Sequence, residues 1–143
     1  FIIGYPGETE EDFQMTLALL KNVHFINSYS YLYSPRPGTP AFNLTLVNQK
    51  IAKERLHIFQ NVAEKIKSEY RQKLVNKKSI VLFENKIQNE NKFFGRDEFF
   101  NSVIVKSEKN LIGTIQSVKI LKVNRNTLFG ELISNFNQKN CAA

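Results

Sequence analysis

Arg36 stands among three prolines and a glycine in the stretch Tyr33-Ser34-Pro35-Arg36-Pro37-Gly38-Thr39-Pro40-Ala41. A guanidinium is always charged and meets a phosphate through two parallel hydrogen bonds. Proline locks φ at about −65° and pushes the residue before it to extended geometry. The loop is therefore stiff, and it can hold Arg36 toward a polyanion. A second stretch, Gly4-Tyr5-Pro6-Gly7, offers backbone rather than side chains. Gly4 and Gly7 permit a tight bend and let a ligand come close to the main chain. A connector or helix cap without a ligand uses the same residue types, so neither stretch alone assigns a function.

The flanking elements say how these groups are held. Phe1-Ile2-Ile3 is an apolar run that reads as a strand, and the glycine turn follows it. Thr9 with Asp12 three residues on fits a capping box, so a helix starts after Thr9. Phe13, Leu17 and Leu20 recur at helical spacing and give it one apolar face. The run Tyr29–Tyr33 reads as the next strand and leads straight into the proline loop. Ligands of α/β units gather at the ends of such strands. Residues 47–77 then read as one long helix, with Asn48 as N-cap and Asn76-Lys77-Lys78-Ser79 as its stop. Ile51, Phe59, Val62, Ile66, Tyr70 and Leu74 lie near one face. Lys53, Arg55, Lys65, Lys67, Arg71 and Lys73 mostly lie elsewhere, as a solvated basic face.

From Ser79 the pattern changes to short apolar runs between polar turns. Candidate strands are Ile80–Glu84, Lys92–Gly95, Ser102–Lys106, Thr114–Val123 and Thr127–Ile133. Five short strands without a helical period predict a small OB-like barrel, so the fold class is α/β followed by all-β. Val118 and Ile120 share one parity and Leu121 and Val123 the other, which predicts a bulge near Ile120 and leaves Lys119 and Lys122 outward. Asn124-Arg125-Asn126 makes the hairpin turn, with Asn suited to positive φ. Phe93, Phe94, Phe99 and Phe100 lie near Arg96, and at least two of the four should fill the core. Such barrels bind RNA through basic groups and exposed aromatics.

The formal net charge is +7, and it is uneven. Residues 1–46 carry Lys21 and Arg36 against Glu8, Glu10, Glu11 and Asp12, while residues 47–78 carry nine bases and three acids. A basic second half suits a polyanion partner. Asn, Lys and Ile richness from biased codons gives the same balance. One Cys and two His exclude a disulfide framework and leave no zinc ligand set. No apolar run approaches the roughly 18–20 residues of a membrane span.

Several motifs in register resemble one family. Ile2-Ile3-Gly4-Tyr5-Pro6-Gly7-Glu8-Thr9-Glu10-Glu11-Asp12-Phe13 and Tyr31-Leu32-Tyr33-Ser34-Pro35-Arg36-Pro37-Gly38-Thr39-Pro40-Ala41 resemble two segments of the radical S-adenosylmethionine methylthiotransferases. Lys53-Glu54-Arg55-Leu56, Gly95-Arg96, Leu111-Ile112-Gly113 and Leu128-Phe129-Gly130-Glu131-Leu132 resemble later landmarks, the last three in its TRAM domain. Arg36 between prolines is similar to the MiaB type, which acts on isopentenyl-adenosine in tRNA.

The resemblance implies the end of a partial radical-SAM (TIM-like) barrel at residues 1–46, a linking helix at 47–77, a TRAM RNA-binding barrel at 78–136 and a tail at 137–143. It implies a parent enzyme that adds a methylthio group to C2 of N6-isopentenyladenosine beside the anticodon, using S-adenosylmethionine and two [4Fe–4S] clusters. Gly4, Pro6 and Gly7 would line the S-adenosylmethionine. Arg36, Arg96, Lys119, Lys122 and Arg125 would contact tRNA, and no residue here would be catalytic or bind metal. One cysteine, Cys141, cannot hold a cluster that takes three or four cysteines, so this chain reads as the C-terminal part of the enzyme, inactive alone. The parent would be cytoplasmic and monomeric, without a membrane partner. Two alternatives stay open: a sister enzyme acting on threonylcarbamoyl-adenosine tRNA or a ribosomal protein, and a non-catalytic TRAM module that binds RNA.

Overall fold

The computed structural model describes residues 1–88 and 90–133. Two compact units emerge, Phe1–Tyr70 and a second that begins at Arg71. Cys141, the tail 137–143 and the last three residues of the expected barrel, 134–136, lie outside the described residues.

In the first unit, strand β1 (Ile2–Ile3) pairs in parallel with β2 (Tyr31–Leu32), and helix α1 (Glu10–Val23) connects them. The Thr9 hydroxyl accepts from the Asp12 amide at 3.1 Å, and the Asp12 carboxylate accepts from the Thr9 amide at 2.9 Å. The expected capping box is thus complete, and it ties down amides that the first turn leaves without helical partners. Phe13, Leu17 and Leu20 are buried with Ile3, Phe59 and Ile66. Burial of this apolar face, rather than intrinsic propensity, holds α1 in place. After β2 the proline loop runs into a short 3-10 helix over Pro40–Asn43.

Helix α2 spans Gln49–Gln72, and Asn48 caps it by accepting from the Lys50 amide at 2.9 Å. Its inward row differs from the expected one. Ile51 is exposed, while Ala52 and Arg55 are buried beside Phe59 and Ile66. One residue is about 100° of helix, so a row centred on Ala52, Leu56, Phe59, Val62 and Ile66 turns Ile51 out. Arg55, expected on the solvated face, turns in. Arg71, near the helix end, is also buried, but within the second unit. The helix stops at Gln72, short of the expected point, and Asn76 turns the chain with φ 64° while donating its amide to Ile120 O at 2.8 Å.

The second unit is a closed barrel of β3 (Lys78–Lys86), β4 (Lys92–Asp97), β5 (Ser102–Lys106), β6 (Ile115–Val123) and β7 (Thr127–Leu132). Its order is β3-β4-β5-β7-β6, with β6 returning to β3. All pairs are antiparallel except β5 with β7, where Ser102 lies opposite Thr127. Alternation fills the core with Val81, Phe83, Phe93, Val103, Val105, Val118, Ile120 and Leu128, while Leu111 plugs it from a loop. The expected bulge occurs between Ile120 and Lys122, and a second lies between Phe83 and Asn85. Bulges let a short sheet bend enough to close.

Candidate nucleic-acid interface

The parallel pairing of β5 with β7 decides where the barrel loops go. Residues 98–101 precede Ser102, residues 124–126 precede Thr127, and these two positions are register partners. Both loops therefore leave the barrel at one end. Arg96 is the register partner of Ser102, so it sits at that end too.

The bulge in β6 keeps Ile120 in the core while Lys119 and Lys122 are both exposed, as their parity predicts. Lys122 lies two residues before the turn and Lys119 farther along the same strand. Arg125 is exposed on the turn itself. That turn works differently from expectation. Neither Asn124 nor Asn126 has a positive φ. Instead Asn124 Oδ1 accepts from the amides of Asn126 at 2.9 Å and Thr127 at 2.6 Å, so a side chain imitates the turn's backbone. From below, the buried Arg71 donates to the carbonyls of Asn124 and Arg125. A buried guanidinium thereby fixes the loop that presents another.

Arg96 is half spoken for: its Nε lies 3.4 Å from Glu84 Oε1, and its guanidinium stacks 5.7 Å from the Phe94 ring. Of the four phenylalanines, Phe93 alone is buried, which corrects the expectation of two. Phe94 has the opposite strand parity and is partly covered. Phe99 and Phe100 lie off the strand in the loop, 52% and 74% exposed. The charges at this end suit a polyanion, and the exposed rings suit a flat partner.

The first unit holds the other expected residues. Gly4, at φ 76°, follows β1; its amide donates to Glu8 Oε2 at 2.9 Å, and a Cβ there would meet the Cβ of Ala52 at 2.7 Å. Pro6 is buried, and Gly7, at φ 86°, faces open space. The Glu8 carboxylate joins this turn to α2: its Oε1 accepts from Arg55 Nη1 at 2.8 Å, and Arg55 Nη2 reaches Glu10 Oε2 at 3.0 Å. A hydrogen bond from Gln14, then one from Arg55, holds the Glu10 carboxyl below its ordinary value of 4.5. The Thr9 hydroxyl, then the Thr9 amide, does the same for Asp12. Sequence reasoning missed Arg55 and Glu8. The signal was present in the acidic turn, which lacks a basic partner of its own.

Tyr33 follows β2, and its ring packs against Tyr5 at 5.1 Å between centroids. Its hydroxyl is buried without a partner among the described residues. Arg36 is exposed, and its carbonyl accepts from Thr39 N at 3.3 Å and Oγ1 at 2.8 Å. With Pro37 second and Gly38 third at φ 82°, this has the pattern of a type II turn, and it presents the guanidinium to solvent. Among the described residues no cluster of His, Cys, Asp and Glu could hold a metal ion, and no helix is long and apolar enough to cross a membrane.

Comparison with known proteins fits this geometry. Residues 72–133 match the TRAM domain. The chain is 48% identical over 139 residues to a tRNA-2-methylthio-N(6)-dimethylallyladenosine synthase of Pelagibacter ubique, covering 97% of this chain and 31% of the relative. Proteins of the same name from Buchnera aphidicola and Orientia tsutsugamushi (strain Boryong) are 42% and 39% identical, over 91% and 94% of this chain and 30% of each relative. Residues 72–133 thus match the TRAM domain, and nearly the whole chain is similar to one part of the tRNA-2-methylthio-N(6)-dimethylallyladenosine synthases, of whose length it spans about a third.

Proposed function

We propose that this chain is the tRNA-holding part of an enzyme that places a methylthio group on C2 of N6-isopentenyladenosine. The observation that carries the reading is the cationic barrel end, built by Lys122, Arg125 and Arg96 with Lys119 farther along β6, within the residues that match the TRAM domain. The shared name of the relatives favours this substrate over threonylcarbamoyl-adenosine or a ribosomal protein. Residues 1–46 would close a partial radical-SAM barrel, and the parallel β1-α1-β2 unit is of the kind such barrels repeat. Residues 47–77 would be the link and 78–136 the RNA-binding barrel. The parent would work in the cytoplasm as a monomer.

The cofactors divide on fit. Iron–sulfur clusters do not fit the residues here, because one thiol cannot supply three ligands. Those ligands would belong to the rest of the parent, and this chain alone would be inactive. S-adenosylmethionine fits better at the strand ends, where Gly7 leaves the backbone open and the buried Tyr33 hydroxyl awaits a partner. It would supply the methyl and radical chemistry. Gly4 and Pro6 would shape the turn beneath it, and Arg36 would meet an RNA phosphate.

The test is tRNA binding by fluorescence anisotropy across a salt series. Each phosphate contact adds about −0.7 to −0.9 to the slope of log K against log salt. Lys119→Ala with Lys122→Ala should flatten that slope by roughly 1–2 units and weaken all tRNAs alike. An unchanged slope removes these lysines from the interface, and absence of binding by the wild-type chain sinks the reading.

A further inference from the structure

The loop between β4 and β5 is built around a conflict. Phe100 has φ 60°, in the left-handed region. A bulky side chain there is a true outlier from ordinary backbone. The ring gains nothing in return from burial, since it is 74% exposed, and its neighbour Phe99 is 52% exposed. Glycine or asparagine would make this turn without strain, and two polar residues would make it more soluble.

The conformation is imposed from beneath. Asp97, 7% exposed, accepts at Oδ1 from the amides of Phe99 at 2.9 Å and Asn101 at 2.8 Å. Its Oδ2 accepts from Asn101 Nδ2 at 2.9 Å and from Ser79 Oγ at 3.3 Å. Asn101 is itself buried, and the Phe100 amide donates to Asp97 O at 3.0 Å. A buried carboxylate with four donors thus clamps a short loop and pushes two rings into water. Strain that the surroundings over-determine is a mark of functional positions. The same end of the barrel carries Arg96, Lys122 and Arg125.

We infer that Phe99 and Phe100 form a pre-organised stacking platform for an unpaired RNA base, beside the cations that hold its backbone. The inference rests on the tRNA reading above and adds to it a preference for unpaired over duplex RNA. Phosphate contacts favour the denser charge of a duplex, so they do not supply that preference. An aromatic face can, because a base must leave its own stack to meet it. The rigid loop lowers the ordering cost on binding.

The experiment compares a labelled RNA hairpin bearing an unpaired loop with a blunt RNA duplex, both titrated against the full chain. The hairpin also carries 2-aminopurine in its loop, whose fluorescence drops on stacking. Phe99→Ala with Phe100→Ala should weaken hairpin binding by about 5- to 150-fold per stacked base, leave duplex binding and the salt slope unchanged, and abolish the 2-aminopurine response. Phe100→Trp should retain both affinity and response. Phe100→Gly relieves the left-handed strain and keeps the fold, so its hairpin loss cannot be ascribed to unfolding. Equal losses on hairpin and duplex, or no loss on either, overturn the inference while wild-type binding keeps the tRNA reading. Failure of the wild-type chain to bind either RNA overturns both.

Discussion

Arg55→Met should loosen the first unit and leave the barrel untouched. Arg55 Nη1 lies 2.8 Å from Glu8 Oε1, with the two side chains 8% and 11% exposed. Deleting one partner of a buried pair costs about 3–5 kcal/mol, because the other charge stays desolvated. Glu8 keeps the Gly4 amide at 2.9 Å, which places the cost at the low end. The second pair adds little, since Glu10 is 65% exposed and solvent screens it. A loss of about 3 kcal/mol corresponds to roughly 150-fold faster exchange of the slowest amides, because every 1.4 kcal/mol is tenfold. Native-state hydrogen exchange reads this out residue by residue. Acceleration should appear in α1 between Phe13 and Leu20 and in α2 between Phe59 and Ile66, with the barrel strands unchanged. Adding Glu8→Gln to Arg55→Met removes the stranded charge and should restore part of the protection. Acceleration of less than about fivefold, or an equal effect on the barrel, would refute the buried-pair argument.

The first turn of α1 should be acid-labile. Folded Asp12 and Glu10 titrate below their ordinary values of 3.8 and 4.5, so their stabilisation is present above those values and is lost as pH falls through the lower folded ones. Amide exchange across that range should show it, and Thr9→Ala should remove the hydroxyl's part of the Asp12 share while the amide's part stays; a pH-independent first turn would contradict this. Gly130→Val should destabilise the barrel by about 1–3 kcal/mol, since any Cβ there would come within 2.6 Å of Lys119 O and crowd Val118. Denaturant midpoints of the barrel signal will check it, and an unchanged midpoint would mean that the strands can part at no cost.

Periodicity carried most of the fold. The barrel strands alternate cleanly, so their number, their order along the chain and even the bulge after Ile120 were legible from parity alone. The long helix was harder, because its inward row holds small and charged residues. Ala52 and Arg55 face in, and both look like surface residues until Gly4 and Glu8 are seen opposite them. The outward lysines followed from the bulge. The phenylalanine loop did not, because aromatic residues near a strand normally fill a core. Its distinguishing sign was local: Asp97 and Asn101 bracket the pair, and side chains of that kind fold loops back on themselves.

The strand order also constrains how the barrel is made. β6 pairs with β3 on one side and β7 on the other, while β7 also pairs with β5. Closure therefore waits for the last strand, although the β3-β4-β5 meander can form early from local turns. During synthesis that meander would emerge from the ribosome with open edges, and such edges invite pairing between nascent chains. A stop codon shortly before Thr127 would not give a slightly smaller domain. It would leave β5 and β6 each with a free edge, and the product would be a candidate for aggregation rather than for weak RNA binding.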